Sequence, residues 1–170
     1  MTGYALKTMK KIIAISVMFL MAVGAFAQEG KRLYNKYSDQ EGVSAVYISP
    51  AMFKLMGQLP DINVETADGK KMDMAPLVRS FSGFYMLRFE KKSTASAELY
   101  KEVTAMVNKG SFELLMEVKD SGSTIRMYTM GDEKVVNSFV CIVNEEDGMM
   151  FFSLEGSMNR SDVEKLIAGM

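Results

Sequence analysis

The clearest pattern along the chain is an alternation of apolar and polar positions over residues 112–155. In "FELLMEVK" (112–119), Phe112, Leu114, Met116 and Val118 fall on one side, and Glu113, Glu117 and Lys119 on the other. Asp120-Ser121-Gly122 turns the chain, "STIRMYTM" (123–130) returns, and Gly131-Asp132-Glu133 turns it again. "VVNSFVCIV" (135–143) is apolar on both faces, as expected of a central strand. "NEEDG" (144–148) supplies a third turn before "MMFFSLE" (149–155). Period-two runs separated by such turns predict a four-stranded antiparallel meander.

Upstream, the period changes. "EGKRLYNKYSD" (29–39) predicts a short helix using Leu33, Tyr34 and Tyr37, and "GVSAVYIS" (42–49) a strand. Ser49-Pro50 places a capping hydroxyl before a proline in the first helical position. The helix that follows is expected to turn Met52, Leu55, Met56 and Leu59 inward and to end near Gly57. Residues 60–73 hold loop signals, with Asp68-Gly69 suited to a tight turn. They read as a small hairpin or an irregular excursion. "APLVRSF" predicts a short helix with Pro76 in its first turn, and "GFYMLRFE" (83–90) a second strand. Ser93 or Thr94 then caps a helix with Leu99, Val103, Met106 and Val107 on one side, stopped by Lys109 and Gly110. Ser161-x-x-Glu164 reads as a capping box for a last helix striped by Val163, Leu166 and Ile167. Single-stripe helices beside strands with one polar face predict an α+β fold: a two-layer sandwich, mostly antiparallel, with helices packed on one face. The unit 83–90, 94–109, 112–119 permits a parallel strand pair through a crossover. The place of strand 43–48 in the sheet is not readable.

The amino terminus departs from this patterning. "KKIIAISVMFLMAVGAFAQ" (10–28) contains sixteen uncharged residues, Ile12 to Ala27, preceded by Lys7, Lys10 and Lys11. Spanning a bilayer takes about 20 apolar residues. A basic start, a shorter apolar run and the small residues of Ala25-Phe26-Ala27 instead read as a secretory signal peptide. The expected cleavage lies between Ala27 and Gln28, and Met9 is an alternative start. Position 28 is Gln rather than Cys, which excludes lipid attachment there. The expectation is thus a signal peptide over 1–27, a single domain over 28–170, and a soluble exported product with no membrane span in the mature chain.

Composition then narrows the chemistry. Of the 170 residues, 143 remain after residue 27, a length that suits one domain with its own core. Without the three leading lysines, 17 basic residues face 21 acidic ones, a net charge of −4. That offers no electrostatic case for nucleic acid. There is no His, which removes the commonest general base and metal ligand, and with it Ser-His-Asp and Cys-His chemistry. The lone Cys141 allows no internal disulfide, and between Val140 and Ile142 it reads as a buried, inert thiol. The 17 Met residues read as core filler rather than a copper site, since neither Met72/Met74 nor Met149/Met150 has a Cys or His neighbour. "NEEDG" lacks the ligand spacing of an EF-hand loop. There is no G-x-S-x-G or S-x-x-K. Glu113 and Glu117 read as water-facing on the polar side of one strand. Lys70, Lys71, Arg79, Arg88, Lys91 and Lys92 are scattered and read as ordinary surface charge. Asn159-Arg160-Ser161 matches a glycosylation triplet of low specificity. No catalytic, metal or cofactor residue is assigned, and no cofactor is expected.

"KYSDQEGVSAVYISPAMFKLM" (36–56) resembles the opening of a family of small exported Bacteroidetes proteins, domain-of-unknown-function family 4252. The resemblance rests on Tyr37-Ser38, Gly42-Val43, Val46-Tyr47-Ile48-Ser49 and Met52-Phe53, and extends over most of 30–168. It implies a Gram-negative envelope and hence the periplasm, and brings no site residues with it. The leading functional expectation is a non-enzymatic domain binding another envelope protein or a peptide, because a meander leaves edges that accept a strand. The alternatives are a carrier of a small apolar ligand lined by Met149, Met150, Phe151 and Phe152, and a hydrolase using paired carboxylates. The oligomeric state is not readable.

Overall fold

A computed structural model describes residues 29–58, 63–65, 69, 71–109 and 112–168. Ala25, Ala27, Gln28 and Leu59 lie outside them, as do Asp68 and Gly110 and the side chains of Leu166 and Ile167. The described residues form helices α1 (Glu29–Tyr37), α2 (Pro50–Met56), α3 (Ala75–Arg79), α4 (Thr94–Lys109) and α5 (Arg160–Ala168), together with eight strands. These are β1 (Val43–Ile48), β2 (Asn63–Glu65), β3 (Lys71–Asp73), β4 (Phe81–Phe89), β5 (Phe112–Asp120), β6 (Ser123–Gly131), β7 (Val135–Asn144) and β8 (Met149–Asn159).

Six strands form one sheet in the order β1-β4-β8-β7-β6-β5, every neighbour antiparallel. The meander runs β5 to β8, with β7 and β8 at the centre and β1 and β5 at the edges. Its first turn takes positive φ at both Ser121 and Gly122, the geometry of a two-residue hairpin that follows strand twist. Strands β4 and β5 do not pair. They point the same way with β8, β7 and β6 between them, about 19 Å apart. Sixteen-residue α4, about 24 Å long, is what reaches across. The excursion after α2 contains a hairpin, β2 against β3.

The middle of one face of the sheet is covered by α1 and α4. Leu33 and Tyr37 of α1, and Leu99, Val103, Met106 and Val107 of α4, meet Leu87, Phe89, Val140, Ile142, Met149 and Phe151. Burying each such side chain contributes about 1.5–3 kcal/mol. Ser93 caps α4: its Oγ accepts from the Ser96 N–H, while Ser96 Oγ accepts from the Ser93 N–H. A second, smaller core of Met74, Leu77, Val136 and Met158 gathers at one end, joined by Phe81, Leu154 and Val163. Leu154 belongs to the other face of the sheet, so among the described residues α3 and α5 close one end of that face.

Three details differ from the sequence expectation. In α2 the buried residue is Phe53, edge-to-face with Phe81 at 5.1 Å, while Met52 and Leu55 are exposed. The proline-initiated helix is only seven residues long, so its phase follows this single contact. The start of α5 is capped by Asn159, whose Oδ1 accepts from the Ser161 N–H and hydroxyl, which displaces Ser161 from the cap position. In β5 the alternation breaks. Leu115 is a bulge with no partner on β6, so Phe112 and Leu114 face the helices while Met116 and Val118 face the opposite way.

The helices α1 and α4 are tied by Glu102, which accepts from Arg32 Nη1 at 3.0 Å, Tyr37 Oη at 2.8 Å and Lys36 Nζ. Burial alone would raise this carboxyl, but hydrogen bonds from Lys36, Tyr37 and Arg32 outweigh it and hold the pKa down to about 2. A lowered folded pKa stabilises above the unfolded value and is lost as pH falls through about 2. Glu102→Ala is expected to cost about 1–2 kcal/mol at pH 7 after solvent screening, and to remove part of the decline between about pH 4.5 and 2. Chemical denaturation at both ends of that range is the check, and an unchanged acid limb contradicts the tie.

Candidate interaction surface

The strands carry apolar residues on both sides, and the long helices cover one. Register places the rest of the apolar set on the other. Met86 stands opposite Val46 and Phe152, and Phe152 opposite Cys141. Cys141 stands opposite Met127, and Met127 opposite Met116. This row crosses all six strands without a charge. Parallel rows add Val143, Met150 and Ile125 on one side, and Phe139, Leu154 and Phe84 on the other. Phe152 ties the middle together, with its ring 5.8 Å from Phe84 and 6.1 Å from Phe139.

Neighbouring side chains shade each other, so most of these residues are half-buried, and Cys141 in the middle is 2% exposed. Burial pushes the Cys141 thiol up to about 11, and the protonated thiol is unreactive. Towards the sheet edges the surface opens: Val46, Met116 and Val118 are each 40–41% exposed. Six strands about 4.8 Å apart, over the stretch of about five residues beyond the short helices, give a projected area on the order of 500 Å². The largest apolar patch of an ordinary monomer is of this order, and such patches are often functional. Arg88 sits at the rim, next to Met150.

Strand β5 adds an edge. Of the eight large apolar side chains exposed among the described residues, Leu114, Leu115, Met116 and Val118 lie on this one strand. On its helix-facing side Glu117 is exposed to water, as expected, and is also ion-paired. It accepts from Arg126 Nε at 2.6 Å and pairs with Lys119 Nζ at 2.8 Å, and Arg126 reaches on to Tyr100 Oη of α4. The bulge places Glu113 on the other face from Glu117, so the two carboxylates share no site.

The remaining chemical candidates resolve into structure. Met149 and Phe151 lie in the main core, whereas Met150 and Phe152 project from the opposite face, so the four do not line one pocket. A groove of about 310 Å³ between α1 and α4 is lined by Glu29, Arg32, Glu102 and Lys109, with Ala105 and Met106. Both of its carboxylates are ion-paired within it. Arg79 ties α3 to α2 through the Gly57 carbonyl at 2.8 Å. Among the described residues no group of three acidic or Cys side chains could hold a metal, and no helix is long and apolar enough to cross a membrane.

Glu155 is the group that sequence reasoning missed. It is 5% exposed on β8, and its Oε1 has no hydrogen-bond partner among the described residues. Burial pushes its carboxyl up to about 7, against the Gly30 N–H and Lys31, with Glu29 adding to the rise. Gly30 is required there, because a Cβ would come within 2.7 Å of Glu155 Oε1 and Ser153. A raised carboxyl is a mark of catalytic acids. This one is enclosed, however, and Glu29 is held by Arg32 at 2.8 Å, so no open pair of carboxylates results. Its raised pKa stabilises fully below about 4.5 and the contribution is lost as pH rises through about 7. Glu155→Gln is therefore expected to gain about 1–3 kcal/mol over the wild type at pH 8 and little at pH 5. Equal stability of the two proteins at pH 8 would mean that the charge has a partner.

Taken together, the chain is an α+β domain with, among the described residues, one sheet face covered in its middle by helices and the other covered at one end. It belongs to the family described as Domain of unknown function (DUF4252), whose model matches residues 37–166. The match takes in the whole sheet and bears out the resemblance carried by residues 36–56. No curated protein and no solved structure matches the chain.

Proposed function

We propose that the protein is a non-enzymatic interaction domain of the cell envelope, and that its open sheet face docks the apolar surface of another envelope protein. The observation that carries this is the uncharged row from Val46 to Met116 across all six strands. Its projected area, on the order of 500 Å², approaches the roughly 800 Å² that each partner contributes to a stable protein interface. A flat, wide surface of interlocked side chains suits another folded surface better than a small ligand, which is bound in concave sites. The envelope location rests on the basic start, apolar run and Ala25-Phe26-Ala27 exit of the first 27 residues.

The test is a photo-crosslinking amino acid placed in living cells at Met127 on the open face, and at Lys101 on the exposed side of α4 as control. The reading predicts discrete protein adducts from position 127 that are absent from position 101, and that Met86→Lys in the same chain suppresses them while the protein still melts cooperatively. Adducts to lipid alone from position 127 would favour the apolar-ligand carrier. Identical adducts from both positions would contradict docking through this face.

A further inference from the structure

The edge strand β5 has a geometry of its own, independent of the open face. A free strand edge is a template for pairing with another strand, and bulges and unmatched charges are what blunt it. In β5 the bulge at Leu115 disrupts the amino-terminal part, leaving Met116–Asp120 as the regular stretch beyond it. In that stretch Glu117 and Lys119 face the helix side, and Met116, Val118 and Asp120 the open side.

We propose that β5 pairs with β5 of a second copy of this chain, antiparallel, about a two-fold axis passing beside Val118. A two-fold perpendicular to the sheet keeps each side chain on its own face, so only a few registers exist. Centring on Glu117 puts Glu117 opposite itself, and centring on Lys119 does the same for Lys119. Like charges directly opposite destabilise a strand pair. Centring on Met116 brings the Leu115 bulge against the regular stretch. Centring on Val118 sets Val118 against Val118, and Glu117 of each copy against Lys119 of the other, twice by symmetry. This register alone is free of like-charge opposition and of the bulge.

The pairing has further support in the exposure of this strand. Val118 and Met116 are each 41% exposed and gain cross-strand neighbours, while Glu117 and Lys119 (2.8 Å apart within one chain) join a four-charge cluster across the axis. Such a contact is isologous and closes at two subunits, so it yields a dimer rather than a filament. The product is a continuous twelve-stranded sheet with both open faces on the same side, a platform presenting two docking surfaces together.

The test is sedimentation of the purified protein over a concentration series, with three variants of β5. The wild type is expected to show a monomer–dimer equilibrium. Glu117→Lys and Lys119→Glu each place like charges across the axis twice, and are each expected to weaken self-association about tenfold or more. Mixed together, the two variants restore opposite charge at every position and are expected to form a heterodimer. Val118→Cys is expected to give a disulfide-linked dimer under mild oxidation, because native Cys141 is buried. Lys119→Glu changes a side chain that is 65% exposed, so it keeps the test readable if Glu117→Lys unfolds. A monomer at all concentrations overturns the proposal, as does a disulfide dimer of Val118→Cys that forms no faster than that of Lys101→Cys. So does a dimer that survives Lys119→Glu and is lost with Met127→Lys, which would mean association through the open face. Adducts from Met127 in cells, measured in the Lys119→Glu protein, report on the docking reading separately.

Discussion

An antiparallel sheet has two faces, and a chain must do something with each. Here α1 and α4 seal one of them around Leu87, Phe89, Val140, Ile142 and Phe151. The other carries Met86, Phe152, Cys141 and Met127 in a single row, and among the described residues only its end is closed, by the short helices around Leu77 and Val163. Antiparallel sheets commonly leave one side to water, and that side then alternates to polar residues. In this chain it does not. That imbalance between apolar sheet surface and helical cover is the constraint from which the functional reading follows.

The β5 bulge has an effect out of proportion to its size. Were Leu115 paired like its neighbours, Met116 and Val118 would join Leu114 on the helix side, and Glu117 would fall on the open face. With Leu115 bulged, an uncharged row crosses the open face to Met116 of β5, while Glu117 is turned towards Arg126 and through it to Tyr100 of α4. Leaving this one residue out of the ladder thus turns a carboxylate towards Arg126 and places two apolar side chains on the candidate surface. It also confines regular edge geometry to five residues, which is what makes a self-pairing register decidable.

Much of the fold was legible. The meander, the caps at Ser49 and Ser93, and the apolar stripe of α4 are local patterns, and local patterns survive folding. The crossover from β4 to β5 was not, because the number of strands a helix passes over leaves no trace in its periodicity. The bulge was not, since an extra residue inside "FELLME" still reads as alternation. Glu155 was missed because its burial depends on Gly30, far away in sequence, and a lone Glu in a strand looks like a surface residue. A signal for the open face was present: "GFYMLRF" and "MMFFSL" are apolar at odd and even positions alike, which requires cover on both sides. Only the topology shows that, among the described residues, cover is lacking over most of one.

The methionines offer the most direct test, because they fall on both sides of the sheet. With methyl-labelled methionine, the resonances of dilute protein are followed by NMR as a soluble paramagnetic agent is added. The account predicts strong broadening of the Met86, Met127 and Met150 methyls, while those of Met106 and Met149, which are 8% and 3% exposed in the sealed core, are spared. Equal protection of all five methyls would show the second face to be covered, and would contradict the account at its foundation.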